Sequence, residues 1–269
     1  MAEFPFNQED CQTLKNIFEN NIKGEMQNLN LNMLFGFLTG LACTSEAFSS
    51  SLAIKGFLGN NLEFDNNLNA NIYITLADRF YKHTLMSLIN NSSNSTHEYK
   101  TIIYSHNALL EFKDASNQDK KDFLQGFCII PSNDKVQQEL LSITNELKKE
   151  ISYNDEKDPI IHYLILLSIL RLASDSKSYK YEEIEIISNY SSFKKQIVKF
   201  AKLSVISENI NTIIGNLFEI AKFIKECNSH KLFHFMKNEK VKMDVNDVCL
   251  CGSGIKYNNC CSNINSTIH

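Results

Sequence analysis

At 269 residues and 30.8 kDa the chain is long enough to bury a core of its own, so a shortage of apolar area does not explain its eight cysteines. A formal net charge of -4 excludes nucleic-acid affinity as a property of the whole surface and leaves only local basic patches. With only nine glycines and three prolines the chain has few turn-makers, which argues against many short strands and predicts an all-α fold.

The first residues, MAEFPFNQEDCQ, contain no basic segment followed by an apolar stretch, which predicts no secretory signal and a reducing, cytoplasmic setting. From Asn7 to Ile22, Leu14, Ile17 and Phe18 recur at helical spacing, and Asn7 stands where it would cap the first turn. A second helix is predicted from about Asn28 through LNMLFGFLTGLAC, with Gly36 and Gly40 four residues apart to let another helix approach closely. Residues 44 to 68 read as polar and irregular apart from an apolar turn at Leu52 to Leu58. A long amphipathic helix follows over Asn69 to Asn90, then a polar loop to Glu98. Helical pattern is predicted again over His106 to Phe112, and over Ser116 to Ile130, where Asp119 completes a capping box with Ser116. A further helix is expected from Ser132 to Ile151 through Val136, Leu140, Ile143 and Leu147.

Pro159 suits the first turn of a helix, so the boundary of a first helical domain, 1–150, falls just before it. Residues 151–228 read as an additional helical region. It holds an apolar helix to about Ala173, an acidic one near Tyr181 to Tyr190 and two more over Ser192 to Cys227. The apolar run Ile160 to Leu170 is well short of the roughly 18 residues a membrane span needs. Lys231, Lys237, Lys240 and Lys242 give 229–245 the character of a basic linker, which leads to a C-terminal motif over 246–262.

That motif reads NDVCLCGSGIKYNNCC, Asn246 to Cys261, and its cysteines lie at positions 249, 251, 260 and 261. A disulfide between neighbours such as Cys260 and Cys261 would strain the intervening peptide, and a reducing compartment disfavours structural disulfides. Four thiolates do complete a tetrahedron about a zinc ion at about 2.3 Å. Cys249, Cys251, Cys260 and Cys261 are therefore candidate metal ligands, with Zn2+ as the default ion, although an all-thiolate site also accepts iron. Gly252 and Gly254 permit the chain reversal between the pairs, Ser253 offers hydrogen bonds to the thiolates, and Lys256 offsets their charge. A redox or metal-sensing role for Cys260 or Cys261 is the alternative reading of the same residues.

The run Cys249, Cys251, Gly252, Ser253, Gly254, Lys256, Tyr257, Cys260, Cys261 resembles the SEC-C motif, associated with the C-terminal tail of the SecA preprotein translocase. The body has no phosphate-cradling glycine loop and so is not similar to the translocase motor. It instead resembles the YecA/YgfB family of small helical proteins, through LFGFLTGLA, Leu34 to Ala42, and DFLQGFCII, Asp122 to Ile130. Val248 and Leu250 stand where the motif usually has prolines, and Ile255, Asn258 and Asn259 where residues are often basic. The resemblance implies an interaction or adaptor protein, not an enzyme, whose knuckle docks to an export chaperone or the ribosome. Lys231, Lys237, Lys240, Lys242 and Lys256 would form the partner-binding surface.

A metalloenzyme with its active site in the helical body is the other class considered, but no nucleophile, base and orienter assemble from spacing alone. His230 and His234, four apart, could share a metal, yet with no third ligand nearby they read as a solvated linker face. Cys11, Cys43, Cys128 and Cys227 lie in apolar segments and read as small core hydrophobes, and Glu182, Glu183 and Glu185 as a wet acidic surface.

Overall fold

A computed structural model describes residues 6–20, 22–23, 29–44, 54, 57, 63–93, 99–129, 159–174, 199–239 and 256. Asn7 opens the first helix, α1 (Gln8–Asn20), with a reciprocal cap. Its Oδ1 accepts from the Asp10 amide at 3.0 Å, and its own amide donates to the Asp10 carboxylate at 3.2 Å. The helix then buries Cys11, Leu14, Ile17 and Phe18, the face expected from their spacing.

Helix α2 (Leu31–Ala42) is capped by Asn30, whose side-chain oxygen accepts from the Met33 amide at 3.0 Å. Every residue from Leu31 to Ala42 except Met33 is buried, so α2 is the central element. A helix apolar nearly all round must be enclosed on all sides, and here its neighbours are α1, α3 (Asn67–Ser93) and α4 (Asn117–Ile129). The approach of α2 to α4 is backbone to backbone. A Cβ added at Gly36 would lie 2.8 Å from the Phe127 amide nitrogen, and one at Gly126 only 2.7 Å from the Cα of Met33. Gly36 and Gly40 therefore serve helix packing, as their spacing predicts. On the other side of α2 the Phe35 ring stacks on Phe80 of α3 at 4.1 Å, and Phe6 packs edge-on to both.

Helix α4 starts at Ser116, whose Oγ accepts from the Asp119 amide at 3.2 Å and donates to its carboxylate at 2.6 Å. Helix α5 (Pro159–Ala173) begins at the predicted proline. Two short strands, β1 (Ile22–Lys23) and β2 (Glu63–Phe64), pair antiparallel with Ile22 opposite Phe64.

Two expectations are corrected. His106 to Phe112 is not helical: β3 (Ile102–Ser105) and β4 (Ala108–Glu111) form an antiparallel hairpin that runs into a 3-10 turn at Phe112–Asp114. His106 and Asn107 form the two-residue loop with φ of 53° and 61°, the left-handed pair that fits the twist of a tight hairpin and disqualifies a helix. The all-α reading is accordingly modified to a mostly helical fold with a hairpin against its centre. The second correction concerns α6 (Leu203–Glu239), a single 37-residue helix that continues past Cys227 through the first residues expected as linker. It buries Ile206, Ile210, Ile214, Leu217, Phe218 and Ala221 against the body and touches α3 and α5.

The expected helices over 132–151 and 181–190 lie outside the described residues. Among the described residues, no helix is long and apolar enough to cross a membrane.

Candidate metal centre

A polar cluster fixes how the hairpin meets the central helix. Asn32 is buried within the apolar run of α2; its Nδ2 donates to the Tyr104 carbonyl at 2.8 Å and its Oδ1 accepts from the Tyr104 amide at 2.9 Å. Asp119 joins them, accepting from Asn32 Nδ2 at 2.9 Å and from Ser105 Oγ at 2.6 Å. One side chain thus satisfies both backbone polar groups of Tyr104 in β3, while the cap of α4 secures the same strand. Asp119 is expected from sequence only as a capping residue, and Asn32, Tyr104 and Ser105 are not picked out by it. The available signal was a lone Asn at a core position of LNMLFGF.

The body's thiols are poor metal ligands. Cys11, Cys43 and Cys128 are buried. Burial pushes the Cys11 and Cys128 thiols up to about 12 and raises Cys43 as well. Arg171 next to Cys128 pulls in the opposite direction without overcoming that burial. The core reading of these three holds; Cys227 lies on α6 with its side chain outside the described set. A cavity of about 10 Å³ between Phe80, His83, Thr84, Tyr99 and Lys100 has room for roughly one water, not a substrate. Burial lowers the His83 pKa, which favours the neutral ring at that cavity. Among the described residues, no three His, Cys, Asp or Glu side chains come close enough to hold an ion.

Of the motif's residues only Lys256 is described, and it is exposed. Cys249, Cys251, Cys260 and Cys261 lie outside the described residues, as do Lys240 and Lys242. Lys231 and Lys237 are on α6, together with His230 and His234.

Residues 246–263 match the SEC-C motif. The match takes in all four cysteines and Lys256, and the SEC-C motif is associated with metal binding. The chemistry of the matched residues suits such an ion, since four cysteine thiolates are soft donors of the kind that would complete a tetrahedron about it. No curated protein and no solved structure matches the chain.

Proposed function

We propose that the protein is a metal-binding adaptor. In this reading its SEC-C motif holds one Zn2+ on Cys249, Cys251, Cys260 and Cys261 and docks to a protein partner such as an export chaperone or the ribosome, in the cytoplasm. The observation that carries it is the SEC-C match over residues 246–263. A site closed by four thiolates has no position for substrate, so its role is to hold a small surface in shape for recognition. Without the ion, a tail with so little apolar area has little to oppose its conformational entropy. Lys231, Lys237, Lys240, Lys242 and Lys256 supply positive charge for that surface, and zinc is preferred over iron as the default for a structural tetrathiolate.

For the body we propose a YecA/YgfB-like helical domain over 1–150, followed by the helical region 151–228. The two segments that carry this resemblance, Leu34 to Ala42 and Asp122 to Ile130, contribute the glycines at which α2 and α4 meet. That contact supports reading them as one packed unit of the fold rather than two chance strings.

Metal analysis of the purified chain beside Cys260→Ser tests the site: the variant should lose the bound zinc, and full retention would sink the four-thiolate reading. Docking is tested by ribosome co-sedimentation of the full chain against one ending at Glu239, which leaves α6 whole. Equal pelleting of the two would remove the tail from that role.

A further inference from the structure

The length of α6 changes how the C-terminal motif is joined to the rest of the chain. Over about its first five turns the helix is fixed to the body. Ile206, Ile210, Ile214, Leu217, Phe218 and Ala221 are buried, the Asn211 side chain accepts from the Thr101 amide at 2.8 Å, and the Ile214 carbonyl accepts from Cys43 Sγ at 3.8 Å. Beyond Ala221 the same helix runs on without a glycine or proline, and Lys222 to Glu239 adds about 27 Å at 1.5 Å per residue. An unbroken helix bends only gently, so anchoring its first half fixes where Glu239 lies. Six residues, Lys240 to Val245, then separate Glu239 from the matched segment at 246–263. At about 3.4 Å per residue the start of the motif stays within about 24 Å of the helix end, where a linker starting after Asn228 would let it range over about 60 Å. The volume open to the motif is smaller by roughly fifteenfold.

We propose that α6 is a rigid arm that presents the C-terminal motif at a set distance and direction from the helical body, so that body and motif read one protein partner at two points of fixed separation. Joining two contacts in this way raises the effective concentration of the second only where the partner's two sites match the span. The arm therefore selects partners by spacing, a property that neither the motif nor the body has alone. Its action needs the backbone of α6 to be continuous and asks no side chain between Lys222 and Glu239 to touch the partner. The use of the arm rests on the docking role proposed for the motif, whereas its rigidity does not.

Rigidity is tested first. The full-length chain and Asn228→Pro are digested briefly with trypsin, and the cuts are located by mass. Lys225 and Lys231 both lie on the arm. Proline at position 228 removes a helical hydrogen bond and clashes with the preceding turn, so cleavage after both lysines should be about tenfold or more slower in the unaltered chain than in the variant. Equal rates in the two overturn the arm. Ribosome co-sedimentation then compares the unaltered chain, Asn228→Pro and the chain ending at Glu239. We expect both altered chains to pellet less, since the proline variant keeps every residue of the motif but loses its placement. Pelleting of Asn228→Pro equal to that of the unaltered chain, with the shorter chain reduced, overturns presentation by the arm and leaves docking by the motif in place. Equal pelleting of all three, or none from any, overturns docking and with it the two-point use of the arm.

Discussion

Gly36→Ala and Gly215→Ala make the same chemical change in the middle of two helices, and the structure assigns them opposite signs. A Cβ at position 36 would stand on the Phe123 carbonyl and 2.8 Å from both its carbon and the Phe127 amide nitrogen. Those atoms are backbone of α4 and cannot rotate away, so α2 and α4 would have to part by about 1 Å, enough to forfeit up to half of each dispersion contact across the seam. Overpacking a tight core costs about 1 to 3 kcal/mol, and a rigid obstacle puts this site at the upper end. Alanine returns about 1 kcal/mol of helix propensity, which leaves a net loss of about 2 kcal/mol. At Gly215 of α6 the nearest atom to an added Cβ is Asn91 Nδ2 at 3.6 Å, an ordinary contact, so the propensity gain stands alone and the variant should be up to about 1 kcal/mol more stable. Urea unfolding followed by far-UV circular dichroism reads both as shifts in midpoint at constant slope. A Gly36→Ala midpoint at or above that of the unaltered chain would refute the close-approach argument.

Asn32→Ala should cost about 2 to 4 kcal/mol, because it strands both the amide and the carbonyl of Tyr104 in the interior; the Tyr104 amide should then exchange faster than its strand neighbours. Stability should fall as pH rises from the ordinary thiol value of 9.0 toward about 12. The Cys11 and Cys128 thiols stay protonated in the fold while the unfolded chain ionises them, and the raised Tyr73 and Tyr99 act in the same direction. A flat alkaline limb in unfolding midpoints taken across that window would contradict this. Of eight cysteines, the three buried thiols should resist a disulfide reagent in the native state; on the proposed tetrathiolate, a metal chelator should release four more, and a smaller release would count against that site.

The capped helix starts at Asn7 and Ser116 were legible because a cap is local chemistry, each bonding an amide three residues on, whereas the cap of α2 is Asn30 and not the expected start near Asn28. The apolar faces of α1 and α2 followed from spacing, since burial is the only use for Leu14, Ile17, Leu34 or Leu38 at that period. The hairpin was missed because HNALLEF fits neither period cleanly, and the deciding feature, two residues at positive φ, occupies only His106 and Asn107. The end of α6 was misplaced because lysines and histidines have adequate helix propensity and carry no stop signal; there is neither glycine nor proline between Cys227 and Glu239. The candidate ligands in the tail could be read from spacing because thiolate chemistry is narrow. A partner surface could not, since it depends on side chains that folding brings together from distant positions.

The turn of the hairpin also sets an order of events during synthesis. Gln8 on α1 donates to the Asn107 carbonyl at 2.8 Å and accepts from the Leu109 amide at 2.8 Å, while Lys15 donates to the Asn107 side chain at 3.0 Å. The edge of α1 is thus held by residues made about a hundred positions later, a delay of on the order of 5 to 20 s at ordinary elongation rates. Phe18, by contrast, packs on Tyr73 of α3, so the apolar face of α1 finds cover before the hairpin is made, and the polar edge at Gln8 and Lys15 is the last part of the helix to meet its partners.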